Sequence, residues 1–148
     1  MIRLIGVGDN TLDTYTHIRT KFPGGNALNV AVLARRCGAD SAYIGAVGDD
    51  SGGEWILESL KNEGVDVTHC KILKNIKNSF VEVNIKEGER FFESSFRGAS
   101  SQLELSQEDF EYIQNFDIVH TSIYSGLEKQ IEQLKKVSKI LSFDFSDS

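Results

Sequence analysis

The sequence predicts an α/β protein with a largely parallel sheet, flanking helices and one added β-hairpin. Short apolar runs alternate with helix-like segments, and this order is typical of parallel sheets. Residues 79–93 instead alternate between apolar and polar side chains and reverse direction around Gly88, which is typical of a β-hairpin with one wet face. The chain has 148 residues, enough for one domain with a sizeable core.

The first half of the chain is predicted to alternate strand and helix twice. The predicted elements are residues 2–6, 27–37, 41–45 and 53–62. Gly38 and Gly64 end the two helices, because glycine readily adopts the left-handed conformation found just beyond a helix. Cys37 belongs to the apolar pattern of the first helix, which predicts a small core residue rather than a reactive thiol.

The second half begins with the hairpin and then returns to the strand–helix order. Ser106 and Asp109 form a capping-box pattern, which predicts a short helix to about Asn115. Residues 117–121 and 140–145 are predicted as strands, and apolar residues at helical spacing between them predict a crossover helix. The apolar face of that helix comprises Leu127, Ile131, Leu134 and Val137.

Composition and charge exclude several classes of partner. The chain carries 16 basic and 22 acidic residues, a formal charge of −6, and no basic run, so we expect neither nucleic acid nor a membrane surface as a partner. Cys37 and Cys70 belong to no metal-binding or redox motif. The N-terminal residues leave no room for a signal peptide and no apolar run approaches transmembrane length, so a cytoplasmic location is expected.

Residues 6–13, GVGDNTLD, follow the first strand and begin like a dinucleotide-binding turn. The third glycine of that motif is missing and a carboxylate here would repel phosphate, so the pattern disfavours a dinucleotide. Asp13 suits another task, because a carboxylate accepts strong hydrogen bonds from the hydroxyls of a polyol or sugar. Ligands of open α/β sheets lie at the carboxyl ends of the strands, where we expect Asp13. A helix or turn cap is the alternative.

Residues 24–29, GGNALN, place two glycines and two asparagines at the start of a helix. Gly24 and Gly25 would let the backbone come close to a ligand. Asn26 is most simply interpreted as an N-cap, whereas Asn29 lies one turn later, inside the helix, where asparagine is costly relative to alanine. Its amide can donate and accept hydrogen bonds, as a hydroxyl-rich ligand requires.

Two further features could belong to the same ligand site. Residues 47–54, VGDDSGGE, could form an acidic metal site, but the spacing favours a tight turn and a capped helix in which Asp49 and Asp50 bond backbone amides. His120, at the end of a strand, and Tyr124, just beyond it, could reach the ligand edge of the sheet. A purely structural role is the alternative for His120.

Taken together, GxxxLD, GGNxxN, GxxGDDxxG and a β-hairpin resemble the amino-terminal half of ribokinase-like sugar kinases of the phosphofructokinase-B type. Within that family, the runs GDNTLDTY, FPGGNALNVAV, DIVHTSIYSG and FDFSD are most similar to fructosamine kinases of the fructoselysine 6-kinase type. The resemblance covers residues 1–148. It implies a ribokinase-like fold, with a parallel sheet flanked by helices and a small β lid at about residues 79–97.

The resemblance also implies ATP- and magnesium-dependent phosphorylation of a sugar or fructosamine hydroxyl. The implied sugar-binding residues are Asp13, Gly24, Gly25 and Asn29, with Asp9 and Asn26 as neighbours of the site. Arg90 falls in the lid hairpin, where family members place residues that close over the substrate. The lid of such enzymes often serves as the contact of a homodimer.

The family's catalytic half has no counterpart in these 148 residues. A GAGD turn supplies the family's catalytic base, and no GAGD and no nucleotide-binding segment occur here. We therefore expect a domain that is incomplete at its C-terminus, with no catalytic residue, no metal ligand and no good binding of ATP and Mg²⁺ by this chain alone. The last strand would leave a sheet edge and an uncovered face, which favour homodimers or other association.

Three functional hypotheses follow from the sequence. The first is the substrate-binding half of a fructoselysine-type kinase. The second is a non-catalytic sugar-binding module or a truncated product that retains the sugar site alone. The third, a nucleotide-binding oxidoreductase domain, has only the imperfect GVG turn in its favour.

Overall fold

The computed structural model describes residues 1–146. The elements in chain order are β1 (Arg3–Val7), β2 (Thr11–Tyr15), β3 (Thr20–Gly24), α1 (Asn26–Arg36), β4 (Asp40–Ile44), β5 (Ala46–Gly48), α2 (Ser51–Asn62), β6 (Lys71–Leu73), β7 (Phe80–Lys86), β8 (Glu89–Phe96), α3 (Gln107–Ile113), β9 (Ile118–Ser122), α4 (Ile131–Val137) and β10 (Ile140–Asp144). A short 3-10 helix, Ala99–Gln102, lies between β8 and α3.

The main sheet is parallel throughout, with the strand order β10-β9-β1-β4. On one face, α3 and α4 pack around Phe110, Ile113 and Leu134. On the other face, α1 and α2 pack around Leu28 and Ile56. The predicted parallel sheet flanked by helices is therefore confirmed, as is the α/β class.

Gly6, in the centre of β1, lets α1 approach the sheet closely. A Cβ atom at this position would lie 2.2 Å from the backbone oxygen of Ala27, in the first turn of α1. Since no other residue avoids that collision, the glycine is required for the packing. The close approach brings the N-terminus of α1 beside the carboxyl end of β1, where the loop that contains Asp9 begins.

A second sheet, called here the accessory sheet, has the strand order β3-β2-β7-β8. It consists of two antiparallel hairpins, β2–β3 and β7–β8, joined through parallel pairing of β2 with β7. The predicted hairpin is confirmed, but the sequence does not predict β2 and β3, since residues 11–24 lack apolar alternation. Asp13 consequently lies within β2 of the accessory sheet, not at the end of a main-sheet strand.

The prediction of one buried and one wet face for the β7–β8 hairpin is wrong. β8 is exposed along its whole length, and Val83 is the one buried residue of β7. Phe91, Phe92 and Phe96 are exposed by 46%, 69% and 44%. The hairpin therefore projects from the domain instead of packing one face on its core.

Most predicted bounds agree with the structure to within two residues, and two details differ. α4 begins only at Ile131, and Leu127 is buried in the loop before it. Cys37 is exposed, because it lies at the C-cap of α1, beyond the part of the helix that packs on the sheet. The FDFSD motif, residues 143–147, extends one residue outside the described part. No helix within residues 1–146 is long and apolar enough to cross a membrane.

Candidate functional site

A cleft of about 450 Å³ opens between the accessory sheet, the N-terminus of α1 and the segment after β8. Its lining includes most of the residues predicted for a ligand site: Asp9, Asp13, Gly25, Asn26, Asn29, Arg90 and Tyr124. Gly24 and His120 do not line it. Residues far apart in the chain thus meet in one place, which is the candidate site.

Asp9 caps α1 and is not an open ligand group. Its carboxylate accepts hydrogen bonds from the backbone amides of Asn26 (2.6 Å) and Ala27 (3.2 Å) and from the hydroxyl of Ser122 (2.7 Å). The residue is only 8% exposed. A carboxylate is favourable at this place because the first amides of a helix are unpaired and carry partial positive charge. Asp9 therefore fixes the start of α1 at the cleft.

Gly25, and not Asn26, is the N-cap residue of α1. Gly25 has a φ of 109°, and a Cβ there would lie 2.5 Å from the backbone oxygen of Asp9, so glycine is required. The prediction that Asn26 is the cap is wrong, since Asp9 supplies the acceptor from another loop. Among the described residues, no hydrogen-bond partner is found for the side-chain amides of Asn26 and Asn29, which line the cleft.

Asp13 presents a carboxylate to the cleft without a hydrogen-bond partner from the described residues. Burial raises the pKa of Asp13 above its ordinary value, and the positive charge of Arg90 opposes that rise. The carboxylate fits because residue 24 is glycine: a Cβ at Gly24 would lie 2.4 Å from Oδ2 of Asp13. Gly24 therefore makes room for the carboxylate without lining the cleft itself. The alternative for Asp13, a helix or turn cap, is not found, because Asp13 lies inside a strand.

Arg90 reaches the cleft from β8. Its guanidinium donates a hydrogen bond to the hydroxyl of Tyr15 (3.2 Å) and lies 6.0 Å from the centre of that ring. It forms no ion pair with Asp13, although its charge lowers the pKa of that carboxyl. Arg90 thus lines the cleft from the β7–β8 hairpin.

His120 lies behind the cleft and not in it. It is 7% exposed, and its Nδ1 lies 2.9 Å from Oγ of Ser142 in the neighbouring strand. Burial lowers the pKa of His120, and nearby Asp144 and Asp9 oppose that effect. The expectation of a ligand contact is therefore not met for His120, because its position in β9 directs it under α1. Tyr124 does line the cleft and is 45% exposed.

Residues 47–54 form the tight turn and capped helix that the sequence favours. Asp50 accepts hydrogen bonds from the amides of Gly53 (2.9 Å) and Asn78 (3.0 Å), and the side chain of Asn78 in turn accepts from the amide of Gly48 (3.0 Å). Asp50 thus caps α2 and also holds the residues that precede β7. The predicted bonding is confirmed for Asp50 and is not found for Asp49, whose exposed side chain bonds no described residue.

Several cleft residues escape sequence reasoning. Asn10 is 2% exposed, and its Nδ2 donates to the hydroxyl of Tyr43 (3.1 Å) and to the backbone oxygen of Ala46 (2.8 Å). Phe80 and Phe96, whose ring centres lie 5.8 Å apart, form an aromatic wall. The sequence carries no signal for them, since a polar residue in a turn and an aromatic residue in a strand have many ordinary roles.

A larger groove, of about 690 Å³, runs between α1 and α2 and is lined partly by Trp55, Leu33 and Phe22. Its charged pair, Arg36 and Glu63, is already joined by an ion pair. We place the site in the smaller cleft, because unpartnered polar groups converge there. No group of three or more metal-ligating side chains lies together within residues 1–146.

The sequence profile of the pfkB family of carbohydrate kinases matches residues 1–143. The chain is 40% identical over 148 residues to the fructosamine kinase FrlD of Bacillus subtilis (strain 168), covering 98% of this chain and 52% of that protein. It is 35% identical over 147 residues to the fructoselysine 6-kinase of Escherichia coli (strain K12), covering 99% of this chain and 56% of that protein. The chain therefore spans about half the length of these relatives.

Solved structures agree on the fold. A sugar kinase of Pyrococcus horikoshii superimposes with a TM-score of 0.82 at 23% identity, covering 99% of this chain and 53% of that one. The fructokinase of Xylella fastidiosa, solved with bound ATP, superimposes with a TM-score of 0.82 at 20% identity, covering 99% and 52%. At these identities the likeness shows the ribokinase-like fold alone. By its profile match and its curated relatives, the chain belongs to the pfkB family of carbohydrate kinases.

Proposed function

We propose that residues 1–148 form the sugar-binding, amino-terminal part of a single α/β domain that phosphorylates a hydroxyl of a sugar or fructosamine at the expense of ATP. The proposal names the fructoselysine type of substrate, because the relatives at 40% and 35% identity are a fructosamine kinase and a fructoselysine 6-kinase. A cytoplasmic location belongs to the same proposal, since the reaction needs ATP.

The observation that carries the proposal is the convergence of unpartnered polar side chains on one cleft. Asp13 offers a carboxylate, and Asn26 and Asn29 offer amides that no other described residue engages. A carboxylate accepts from hydroxyls, whereas an amide both donates and accepts. Adjacent hydroxyls of a sugar fit this combination, and the protein satisfies the other acid of the cleft, Asp9, internally.

The accessory sheet is proposed as the lid of this site, with residues 79–97 as its projecting part. Arg90 lies on the projecting hairpin and lines the same cleft as Asp13, so a movement of β7 and β8 would change access to a bound sugar. Asp13 is assigned to hydroxyl binding, and no residue of this chain is assigned as the catalytic base.

Calorimetric titration of the chain with fructoselysine tests the sugar site. Asp13→Ala and Asn29→Ala are each expected to weaken binding roughly tenfold or more, the loss of one to two hydrogen bonds to a polar ligand, without unfolding the protein. Asp49→Ala and Asn62→Ala are matched controls, since both side chains lie outside the cleft. Unchanged affinity in the two cleft variants would show that Asp13 and Asn29 do not bind sugar.

A coupled assay of ADP release separates the kinase from the alternative of a non-catalytic sugar-binding module. Because the 148 residues contain no GAGD turn, we expect this chain to bind fructoselysine without measurable turnover. A longer protein that continues into a GAGD segment should show turnover. Fructoselysine-dependent ADP release by the 148-residue chain itself would contradict this division of labour.

A further inference from the structure

Arg97 stands out among the charged groups of the cleft. The other cation, Arg90, donates a hydrogen bond to the hydroxyl of Tyr15, and its charge lowers the pKa of Asp13. The acid Asp9 is enclosed by helix amides and a serine. Arg97 lines the cleft and is exposed, and no carboxylate within residues 1–146 forms an ion pair with it. Of the two cations that line the cleft, Arg97 is therefore the one whose side chain bonds no described residue.

Hydrogen bonds and close backbone contacts fix the backbone around Arg97, whereas its side chain bonds no described residue. Its carbonyl oxygen accepts a hydrogen bond from the hydroxyl of Ser79, which precedes β7. The next residue, Gly98, has a φ of 46°, and a Cβ there would lie 2.5 Å from the backbone oxygen of Lys77. The amide of Ala99 donates to that same oxygen (3.0 Å). Because this backbone is already ordered, little conformational freedom is lost when the Arg97 guanidinium binds a ligand.

The surroundings of Arg97 suit an aliphatic chain that ends in an anion. Phe96 precedes Arg97 in sequence and stands 5.8 Å from Phe80, ring centre to ring centre, on the cleft wall. Simple sugars carry neither an aliphatic chain nor a charge. A fructosamine made from an amino acid has both, because its amine carries a hydrocarbon chain and a carboxylate.

We propose that Arg97 binds the carboxylate of the amino-acid part of a fructosamine, while Phe80 and Phe96 border its hydrocarbon chain. This inference rests on the proposed function and adds the residue that distinguishes an amino-acid fructosamine from a plain ketose. A guanidinium matches a carboxylate through two parallel N–H donors, which makes arginine the best residue for such a contact.

Three ligands test the proposal by calorimetry: fructoselysine, the fructose adduct of 6-aminohexanoate and the fructose adduct of pentylamine. The 6-aminohexanoate adduct keeps the carboxylate but lacks the α-amine, and the pentylamine adduct lacks both. Arg97→Ala is expected to weaken binding of the two carboxylate ligands roughly ten- to hundredfold, the loss typical of a charged hydrogen bond. Binding of the pentylamine adduct should change by about twofold or less, within the usual range of a surface substitution.

Two further variants serve as a second test of the charge and as a control. Arg97→Gln keeps most of the side-chain length without the charge and should behave as Arg97→Ala does. Lys86→Ala removes one charge from the same hairpin outside the cleft and should leave all three affinities unchanged. Equal losses for all three ligands, or no loss in the Arg97 variants, would overturn the role of Arg97 while sugar binding by the parent chain stands. If the parent chain binds none of the three ligands, the proposed function fails as well.

Discussion

Gly24 leaves the space that the carboxylate of Asp13 occupies: a Cβ at position 24 would lie 2.4 Å from Oδ2. The two residues belong to neighbouring strands of the accessory sheet, β3 and β2. The first glycine of GGN therefore shapes a side chain of the site, whereas the second, Gly25, shapes the start of α1. The two glycines are thus required for two different physical reasons.

Gly24→Ala should weaken sugar binding while the domain remains folded. Because the φ of Gly24 is not in the left-handed region, alanine strains the contact with Asp13 and not the backbone, and Asp13 has to move. We expect a loss of affinity of roughly tenfold, similar to the loss of one charged hydrogen bond. Calorimetry with fructoselysine measures it. Gly52→Ala, whose nearest contacts are 3.4 Å, is the control and should bind normally.

We expect substitution of Asp9 to lower the stability of the fold and substitution of Asp13 to leave it unchanged. Asp9→Ala removes the acceptor for two helix amides and a serine, so we expect a loss of about 1–3 kcal/mol in the free energy of unfolding. Asp13→Asn should not destabilise the fold, since burial raises the pKa of Asp13 above its ordinary value, so the buried carboxylate does not stabilise the folded state. Urea unfolding of both variants provides the comparison; equal losses would contradict it.

Asp50→Ala should loosen the base of the hairpin as well as the start of α2. The carboxylate bonds Gly53 inside α2 and Asn78 ahead of β7, so its removal leaves both amides without that partner. We expect a loss of about 1–2 kcal/mol of stability, as for other helix caps. Hydrogen exchange should accelerate at residues 78–79 together with α2. Asp49→Ala is the matched control, and acceleration confined to α2 would show that the hairpin is held by other contacts.

Stability should fall on acidification in a window set by Asp109. Burial alone would raise the pKa of Asp109, but hydrogen bonds from Lys71, His69 and the amide of Ser106 outweigh it and lower the pKa to about 2 from an ordinary 3.8. The folded state thus binds the proton more weakly than the unfolded state. The stabilisation, about 2 kcal/mol, is complete above pH 3.8 and is lost as the pH falls toward 2.

Asp109→Asn tests that linkage by urea unfolding at several pH values. The variant should be less stable than the parent at neutral pH, and the difference should shrink as the pH falls through the window. Asp49→Asn, at an exposed position, serves as the control for a lost surface carboxylate. A difference between parent and Asp109→Asn that does not depend on pH would contradict the assignment.

Self-association remains a prediction. Two contact surfaces could mediate it, the projecting hairpin or the edge of the main sheet. Phe92 is 69% exposed on β8, and Phe145 is 71% exposed after β10. Light scattering after size exclusion measures the mass. If the hairpin mediates a homodimer, Phe92→Ser should favour the monomer and Phe145→Ser should not; the opposite result would favour the sheet edge. A parent chain that is monomeric at high concentration would contradict both routes.

The main sheet and its helices were predictable because their residues repeat with the period of the element they form. Strands buried on both faces read as apolar runs, and Ser106 with Asp109 forms the predicted capping box. β2 and β3 lack such a period, because β2 is half-buried along its whole length and β3 buries only its last residue. The exposed hairpin was misjudged for the opposite reason: the alternation of residues 79–85, which form most of β7, suggested a buried face that the fold does not supply.

The sequence by itself determined the fold class, the family and seven of the predicted residues that line the candidate cleft. Glycine pairs, asparagines and Asp13 are unusual enough in composition and spacing to be recognised without coordinates. Only the tertiary structure decided their separate roles. Asp9 turns inward to cap α1, His120 lies under that helix, and Asp13 and Arg97 both line the cleft. The physical reason is that a polar group's role depends on which partners surround it, and those partners come from distant parts of the chain.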